Sequence, residues 1–240
     1  MTNPGLHDLW VYLSASPLLG LTLTLLAYQM AHALSIQLGG HPLANPVALA
    51  VAFIVAVLTL TGTPYAAYFE GAQFVHFLLG PATVALAVPL YGQWPRLKRL
   101  FGASMLALAA GSVTSVVSVW FVAKALGATG QTLLSLAPKS VTTPIAMGIS
   151  EKIGGLPSLT AVLVILTGII GAVMAPALLR AIGTRDHAAQ GFAIGMSAHG
   201  IGTARAFRIS ETAGAFSALA MGLNGVVTSL VVPLITDWLS

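Results

Sequence analysis

Charge is scarce in this sequence and cysteine is absent. Ten Lys or Arg and six Asp or Glu residues leave 7% of the 240 residues charged, whereas a soluble domain has about 25%. Because so few charges cannot cover a water-exposed surface of this size, an ordinary cytosolic enzyme is excluded. The absence of cysteine excludes disulfides, thiol nucleophiles and cysteine-based metal sites.

Apolar residues make up 57% of the chain, and the mean hydropathy is +0.91. This composition excludes disorder. It is also too apolar for an outer-membrane barrel, whose strands alternate apolar and polar residues. Since helices are the other way to satisfy the backbone in lipid, we expect an all-α, multi-pass protein of the cell membrane. The net charge of +4 does not indicate nucleic acid, because the basic residues are scattered near the ends of apolar stretches, as in membrane proteins.

Five apolar stretches predict continuous membrane spans, each near the roughly 20 residues that a helical span needs. The N-terminal residues have neither the basic region nor the cleavage site of a removable signal peptide, so the first span is expected to act as the targeting signal. The five stretches are residues 17–36, 46–61, 100–122, 157–179 and 215–235.

Three further stretches are interrupted near their centres by Gly, Pro or small polar residues: 70–91, 131–153 and 187–211. Proline removes a helix donor and clashes with the preceding turn, and glycine lowers helix propensity by about 1 kcal/mol. We therefore expect two half-helices around an unwound centre in each stretch, which either crosses the membrane or turns back within it. Non-helical backbone at membrane depth survives only inside protein or beside a water-filled cavity, so the breaks predict a binding site.

The sequence also resembles itself at two offsets. Small residues can recur by chance in membrane chains; the alternative is a two-fold internal repeat within one domain of 240 residues, with halves near 1–120 and 121–240. Interrupted segments at matching places in two halves are the best sequence indicator of a transporter site. At an offset of 120, Gly71, Gly80 and Thr83 match Gly191, Gly200 and Thr203; at an offset of 60, Thr143, Ala146 and residues 149–151 match Thr203, Ala206 and residues 209–211.

The second break contains Lys139, Ser140, Thr142 and Thr143. A lysine beside hydroxyl groups, next to a half-helix N-terminus, suits a carboxylate. Free N–H groups and the positive end of the helix dipole attract an anion, and hydroxyls supply donors and acceptors. The alternative is that the hydroxyls satisfy local backbone groups while Lys139 extends to the interface.

The third break contains His199, Gly200, Thr203 and Arg205. A charged arginine near mid-membrane usually faces a cavity, where it could clamp a carboxylate with two hydrogen bonds. A structural ion pair of Arg205 with Glu151 or Glu211 is the alternative. His199 could bind substrate or carry a proton, or it could be held by backbone contacts.

The first break, with Gly80, Pro81 and Thr83, has no charge and is expected to shape the pocket and donate backbone groups. Asn224, midway along the last span, could bind substrate or join two helices. No acidic residue lies at the centre of a continuous span, which disfavours a cation/proton antiporter. Hydrolase and P-loop motifs are absent, so we predict no catalytic residue, metal or cofactor.

Three of these motifs resemble the LrgB/CidB family of bacterial membrane proteins and the C-terminal half of the plastid glycolate/glycerate transporter. They are GPATVALAVPLY (80–91), LAPKSVTTPIAMGIS (136–150) and SAHGIGTARAF (197–207). The similarity extends from about residue 18 to the C-terminus. Lys139, Ser140, Thr142 and Thr143 lie in the second motif, and His199, Gly200, Thr203 and Arg205 lie in the third.

Two functions follow from the resemblance. One is transport of small monocarboxylates such as glycolate, glycerate, pyruvate or lactate. The other is holin/antiholin-like control of murein hydrolase export and autolysis. Both imply an LrgA/CidA-type membrane partner, since the chain resembles the LrgB component alone, and a homo-oligomer remains open. The residues favour transport, because a lesion-forming holin has no need of broken helices that contain hydroxyls and cations.

Overall fold

The computed structural model describes residues 17–39, 41 and 44–239, and these residues form helices joined by short loops, with no strand among them. Residues 1–16, to which the signal-peptide prediction refers, lie outside the described part. The helices are α1 (Pro17–Gln37), α2 (Pro46–Thr61), α3 (Tyr65–Phe77), α4 (Leu79–Ala85), α5 (Ala87–Gly92), α6 (Trp94–Ala125), α7 (Gly130–Leu136), α8 (Thr143–Lys152), α9 (Pro157–Ala181), α10 (His187–Phe207) and α11 (Glu211–Leu239).

The chain forms two compact units, one up to Ala85 and one from Leu86 onward. In the first unit α1 packs against α2 and α3. A Cβ atom at Gly20 would overlap the carbonyl oxygen of Tyr68, and the hydroxyls of Thr24 and Tyr68 lie 2.7 Å apart. The absence of a side chain at Gly20 therefore lets α1 and α3 approach closely.

Four helices of the described part are long and apolar enough to cross a membrane: α1 from Leu18, α6, α9 and α11. They coincide with four of the predicted spans, as helices of sufficient length and apolar composition, and extend beyond the predicted ends, most of all α6. The fifth predicted span, residues 46–61, is a continuous helix with these same bounds, α2, but its 16 residues are fewer than the other four helices have. At 1.5 Å per residue it is about 24 Å long, shorter than the roughly 30 Å hydrocarbon core.

The length of α2 is fixed by its two ends. The side chain of Asn45 accepts hydrogen bonds from the amides of Val47 and Ala48 at the start. Gly62 ends the helix in the left-handed region, with φ 65°, a conformation that glycine adopts at little cost.

Each of the three stretches that were predicted to be broken is interrupted. Residues 70–91 divide among α3, α4 and α5, and residues 131–153 divide between α7 and α8, with a non-helical segment at 137–142. In α10 a single residue, His199, leaves the helical conformation, with φ 39° and ψ −133°. The Gly and Pro residues thus predicted that each stretch is interrupted, but two details differ. In the first stretch Gly80, Pro81 and Thr83 are themselves helical, and the interruptions fall at Leu78 and Leu86, because proline is tolerated in the first turn of a helix. The third break is shorter than expected.

Small residues hold α10 and α11 together in the second unit. A Cβ atom at Gly191 would overlap the backbone of Ala213, and one at Gly195 would overlap the backbone of Ser217. Gly191 and Gly195 are four residues apart and lie on one face of the helix. Such small-residue pairs permit close backbone approach between helices in lipid, where van der Waals packing drives association.

We expect Gly195→Ala to lower the apparent Tm of the protein in detergent, because the added methyl group has no space beside the Ser217 carbonyl. Overpacking of this kind costs about 1–3 kcal/mol. The matched control is Gly222→Ala, because Gly222 also lies within a helix but a Cβ atom there meets no neighbour within 4 Å. The control should leave the Tm unchanged or raise it, since alanine favours helix. Equal effects of the two substitutions would contradict this packing argument.

Candidate functional site

The first arm of α10, residues 187–198, runs parallel to α11. Gly191 lies against Ala213, and Gly195 lies against Ser217. Both residue numbers increase together along the contact, so the two segments point in the same direction.

The second arm, residues 200–207, runs in the opposite direction. The hydroxyl of Thr203 lies 2.9 Å from that of Ser217, and Ala206 packs in a buried cluster that contains Ala213. Along this contact the residue numbers of α11 decrease while those of α10 increase, so the second arm is antiparallel to α11. The chain therefore reverses at His199, and residues 187–207 form a hairpin, which we name the second hairpin.

His199, at the tip of the second hairpin, is buried and is held by α9. Its Nε2 lies 3.0 Å from the carbonyl oxygen of Val164; because a carbonyl only accepts, Nε2 carries the proton. The absence of a side chain at Gly168 makes room for the ring, since a Cβ atom there would lie 2.7 Å from Cε1. Thr203 donates its hydroxyl to the His199 carbonyl at 2.8 Å. These contacts hold a non-glycine residue in the left-handed region, which is sparsely populated and costly.

Residues 130–152, which contain α7 and α8, form a first hairpin. Its α7 arm runs antiparallel to α6: Leu133 packs with Trp120, and the Ser140 hydroxyl lies 2.6 Å from that of Ser115.

The return of the first hairpin is shown by Thr160 in α9. Its hydroxyl lies 3.0 Å from the Ser135 carbonyl and 2.7 Å from the Ser150 hydroxyl. Fifteen residues of continuous helix would separate Ser135 and Ser150 by about 22 Å. The chain therefore turns back between them, with its tip in residues 137–142, and this stretch is a hairpin like residues 187–207.

The two hairpins approach the middle of α11 from opposite ends. In the first hairpin, Ile145 lies beside Gly225, and Ile149 packs with Val232. The open end of this hairpin is therefore near the C-terminal end of α11. The open end of the second hairpin is near the N-terminal end, so the tips meet at the level of Asn224, close to the midpoint of α11.

Asn224 is fully buried and joins both tips to the long helices. Its Nδ2 donates to the Met196 carbonyl at 3.0 Å and to the Ser140 carbonyl at 3.3 Å. Its Oδ1 accepts from the hydroxyls of Ser112 at 2.7 Å and Thr228 at 3.1 Å. Both amide protons and both acceptor positions are therefore used. In this arrangement Asn224 positions the two tips. Of its two predicted roles, to bind substrate or to join two helices, these contacts correspond to the second.

Lys139 lies in the tip of the first hairpin and is half-buried. Its Nζ donates to the hydroxyls of Ser115 at 3.1 Å and Ser140 at 3.3 Å. Among the described residues the ion pair is Arg96 with Asp186, and Lys139 has no carboxylate partner there. A partly buried cation that is bound only to neutral hydroxyls favours the approach of an anion.

The N-terminus of α8 adds to this anion-attracting tip. Thr142 precedes the helix in an extended conformation, and its hydroxyl does not cap the helix. The hydroxyls of Thr142 and Thr143 are half-buried and have no hydrogen-bond partner within the described ranges. Pro144 has no N–H to donate, and the other amides of the first turn lack helical acceptors. The tip thus combines a positive side chain, free hydroxyls and the positive end of a helix dipole.

The predicted site residues thus fall into separate groups. Lys139, Ser140, Thr142 and Thr143 meet at the first tip, and His199 and Gly200 form the second. Gly80, Pro81 and Thr83 lie in α4, in the other unit, and the Thr83 side chain lies outside the described part. Sequence reasoning missed Ser112 and Ser115, although their spacing of three residues places them on one face of α6.

Arg205 is not at a tip. It lies on the return arm, six residues after His199, where its neighbour Ala206 packs with Leu179. Its charged neighbours are Arg208 and Arg180. The ion pair with Glu151 or Glu211, which was the alternative role for Arg205, is not formed within the part of the chain that the structure describes. The prediction placed Arg205 near mid-membrane, whereas in the structure the reversal at His199 directs the return arm, and Arg205 with it, toward the open end of the hairpin.

We expect Asn224→Leu to lower the apparent Tm, although leucine has a similar volume. The substitution leaves two carbonyls and two hydroxyls without their partner, and each buried unsatisfied group costs about 1–3 kcal/mol. The control is Ser229→Ala on the same helix, because the Ser229 hydroxyl is exposed and bonds only to the Val226 carbonyl of its own helix. An Asn224→Leu protein as stable as the control would refute the joining role.

Comparisons with known proteins agree with the resemblance to the LrgB/CidB family that the sequence motifs indicated. The model of the LrgB-like family matches residues 24–238. The chain is 39% identical over 195 residues to "Uncharacterized protein YwbG" of Bacillus subtilis (strain 168), covering 81% of this chain and 87% of that protein. It is 33% identical over 219 residues to "Antiholin-like protein LrgB" of Bacillus mycoides (strain KBAB4) and 32% identical over 219 residues to the protein of the same name from Bacillus cereus (strain B4264); both alignments cover 91% of this chain and 95% of the relative.

No solved structure matches the chain. The family match extends over most of the sequence and includes both hairpins. The protein therefore belongs to the LrgB family.

Proposed function

We propose that the protein is a carrier for small monocarboxylates of the glycolate, glycerate, pyruvate or lactate class. The observation that supports this most directly is Lys139, a partly buried cation with hydroxyl partners and no carboxylate partner in the described chain. Lys139 lies in the tip of the first hairpin, near the middle of α11. The tip of the second hairpin contacts α11 at the same level, from the opposite end of that helix.

The chemistry of the first tip suits a small hydroxy or keto acid. Lys139 would neutralise the carboxylate, with help from the free amides at the start of α8. Ser140, Thr142 and Thr143 would bind the neighbouring hydroxyl or keto oxygen, since a hydroxyl both donates and accepts. His199 and Gly200, in the opposite tip, would close the other side of the site.

The hairpin directions suit alternating access. A ligand held between two tips that enter from opposite sides can be exposed to either side by movement of one tip. The matching residues at an offset of 60 fall on the return arms of the two hairpins: Thr143 with Thr203, and Ala146 with Ala206. This placement favours an inverted repeat in which a hairpin is followed by a long helix, with α9 and α11 as the long helices.

The carrier would act in the cell membrane together with an LrgA/CidA-type membrane partner. A second candidate function is holin/antiholin-like control of murein hydrolase export and autolysis, and the printed names of the relatives from B. mycoides and B. cereus favour it. The two functions are compatible, because movement of weak acids across the membrane can change autolysis indirectly.

Uptake of labelled glycolate, pyruvate and lactate into proteoliposomes, with and without an LrgA-type partner, tests the carrier function. We expect saturable uptake of at least one acid and no leakage of an encapsulated dye. Dye leakage without uptake of any acid would refute the carrier proposal and support the holin-like function.

Lys139→Ala is expected to reduce the uptake rate at least about tenfold, because loss of one charge-assisted hydrogen bond costs about 1.5–3 kcal/mol. Lys152→Ala is the matched control, since Lys152 is exposed at the far end of the same hairpin arm, and it should retain uptake. Both proteins must be inserted at equal levels. Unchanged uptake by Lys139→Ala would exclude Lys139 from the binding site.

A further inference from the structure

A cavity of about 310 Å³ lies between α6 and the first arm of the second hairpin. Small side chains form its two walls: Ala103 and Ala107 on α6, and Ala189 and Ala193 on α10. The residues of each pair are four apart and therefore lie on one face of their helix. We call this space the entry cavity. Its volume lies at the lower end of the range for small-molecule pockets, about 300–1,000 Å³, which is adequate for a three-carbon acid.

One polar side chain lines the entry cavity without a partner of its own. Ser104 of α6 is only 7% exposed, and its hydroxyl has no hydrogen-bond partner among the described residues. A buried hydroxyl without a partner costs free energy, whereas water or a polar solute in the cavity supplies the missing bond. The entry cavity is therefore suited to polar contents.

The outer end of the entry cavity lies at the ion pair of Arg96 with Asp186, and Asp186 itself lines the cavity. The two side chains are 40% and 50% exposed. Asp186 also accepts a hydrogen bond from the Ala189 amide at 2.8 Å, which fixes the start of the second hairpin beside the start of α6. Since two exposed charges require water, the cavity opens toward the aqueous phase at this end.

The side chain of Met196 closes the inner end of the entry cavity. A Cβ atom at Gly111 would overlap the Met196 Cε methyl, so the methionine occupies a notch that this glycine leaves in α6. Ser115, whose hydroxyl accepts from Lys139, lies four residues after Gly111, or about 6 Å along the helix. Met196 therefore lies between the entry cavity and the tip that contains Lys139.

We infer that the entry cavity is the path by which the substrate reaches the carrier site from the side of Arg96, and that the Met196 side chain is the gate of this path. The inference rests on the carrier function proposed above. Methionine has three rotatable side-chain bonds and adapts easily to its surroundings, so it can leave the notch at Gly111 without a change of backbone. Its carbonyl stays bonded to Asn224 meanwhile, so the tip is held while the gate moves.

Single cysteines test the path, because the chain has no cysteine of its own. The probe is a membrane-impermeant, negatively charged methanethiosulfonate, which reacts with thiolates and hence poorly with a thiol in lipid. In membrane vesicles of known orientation, we expect Ala107→Cys and Ala193→Cys to react at least about tenfold faster than Leu106→Cys. Leu106 is the matched control, because it lies at the same depth on α6 but is 74% exposed and does not line the cavity. The reaction should occur from the side on which His187→Cys, near the outer end, reacts.

The gate is tested with Ser115→Cys, which lies beyond Met196. Adding Met196→Ala should raise the reaction rate of this cysteine at least about tenfold from the same side, because alanine leaves the notch open. Met174→Ala, at an exposed methionine of α9, is the matched control and should leave the rate unchanged.

Equal rates for the cysteines at positions 106, 107 and 193 would overturn the path, since the cavity would then be filled by lipid or by another protein. A rate for Ser115→Cys that does not change with Met196→Ala would overturn the gate. The labelling does not require transport, so the two proposals can fail separately. A labelled path in a protein that takes up none of the acids would refute the carrier function, whereas uptake without labelling would refute the entry path.

Discussion

The carboxamide of Asn224 supplies hydrogen bonds that the backbone of the two hairpins cannot make for itself. The Ser140 carbonyl would need an amide four residues later to continue a helix, and that residue is Pro144, which has no N–H. Met196 lies in the last turn before the reversal at His199, where backbone carbonyls have no helical amide to accept from. Lipid offers no replacement donors, so one buried side chain in the middle of α11 permits both interruptions.

Small residues make this arrangement sterically possible. Gly191 and Gly195 bring the second hairpin against α11, and Gly168 makes space for the ring of His199. With larger side chains at these positions the tip carbonyls would lie out of reach of Asn224. The glycine-rich composition thus has two separate effects: it weakens helices at the breaks, and it allows backbone contact beside them.

The sequence predicted where helices end better than where the chain then goes. Apolar length predicted the helices, and Gly and Pro predicted the three breaks, because both are local properties. Reversal at His199 depends on contacts between residues distant in sequence, His199 with Val164 and Thr203 with Ser217, so the direction of the return arm that carries Arg205 could not be predicted from local sequence. The tip residues from Lys139 to Thr143 were predicted correctly as neighbours because they are adjacent in the chain. The saturation of Asn224 requires partners from three other segments, which no single-sequence pattern indicates.

The separation of 84 residues between Ser140 and Asn224 has a consequence for biosynthesis. Ribosomes add roughly 5–20 residues per second, so the first hairpin emerges several seconds before the side chain that completes its tip. During that interval a hairpin with a lysine and unpaired carbonyls cannot rest in lipid. Its backbone groups need another partner, such as water or a second protein, until α11 is made. The hydrogen bond that completes the tip of the first hairpin can therefore form only after α11 has been made, long after the hairpin itself.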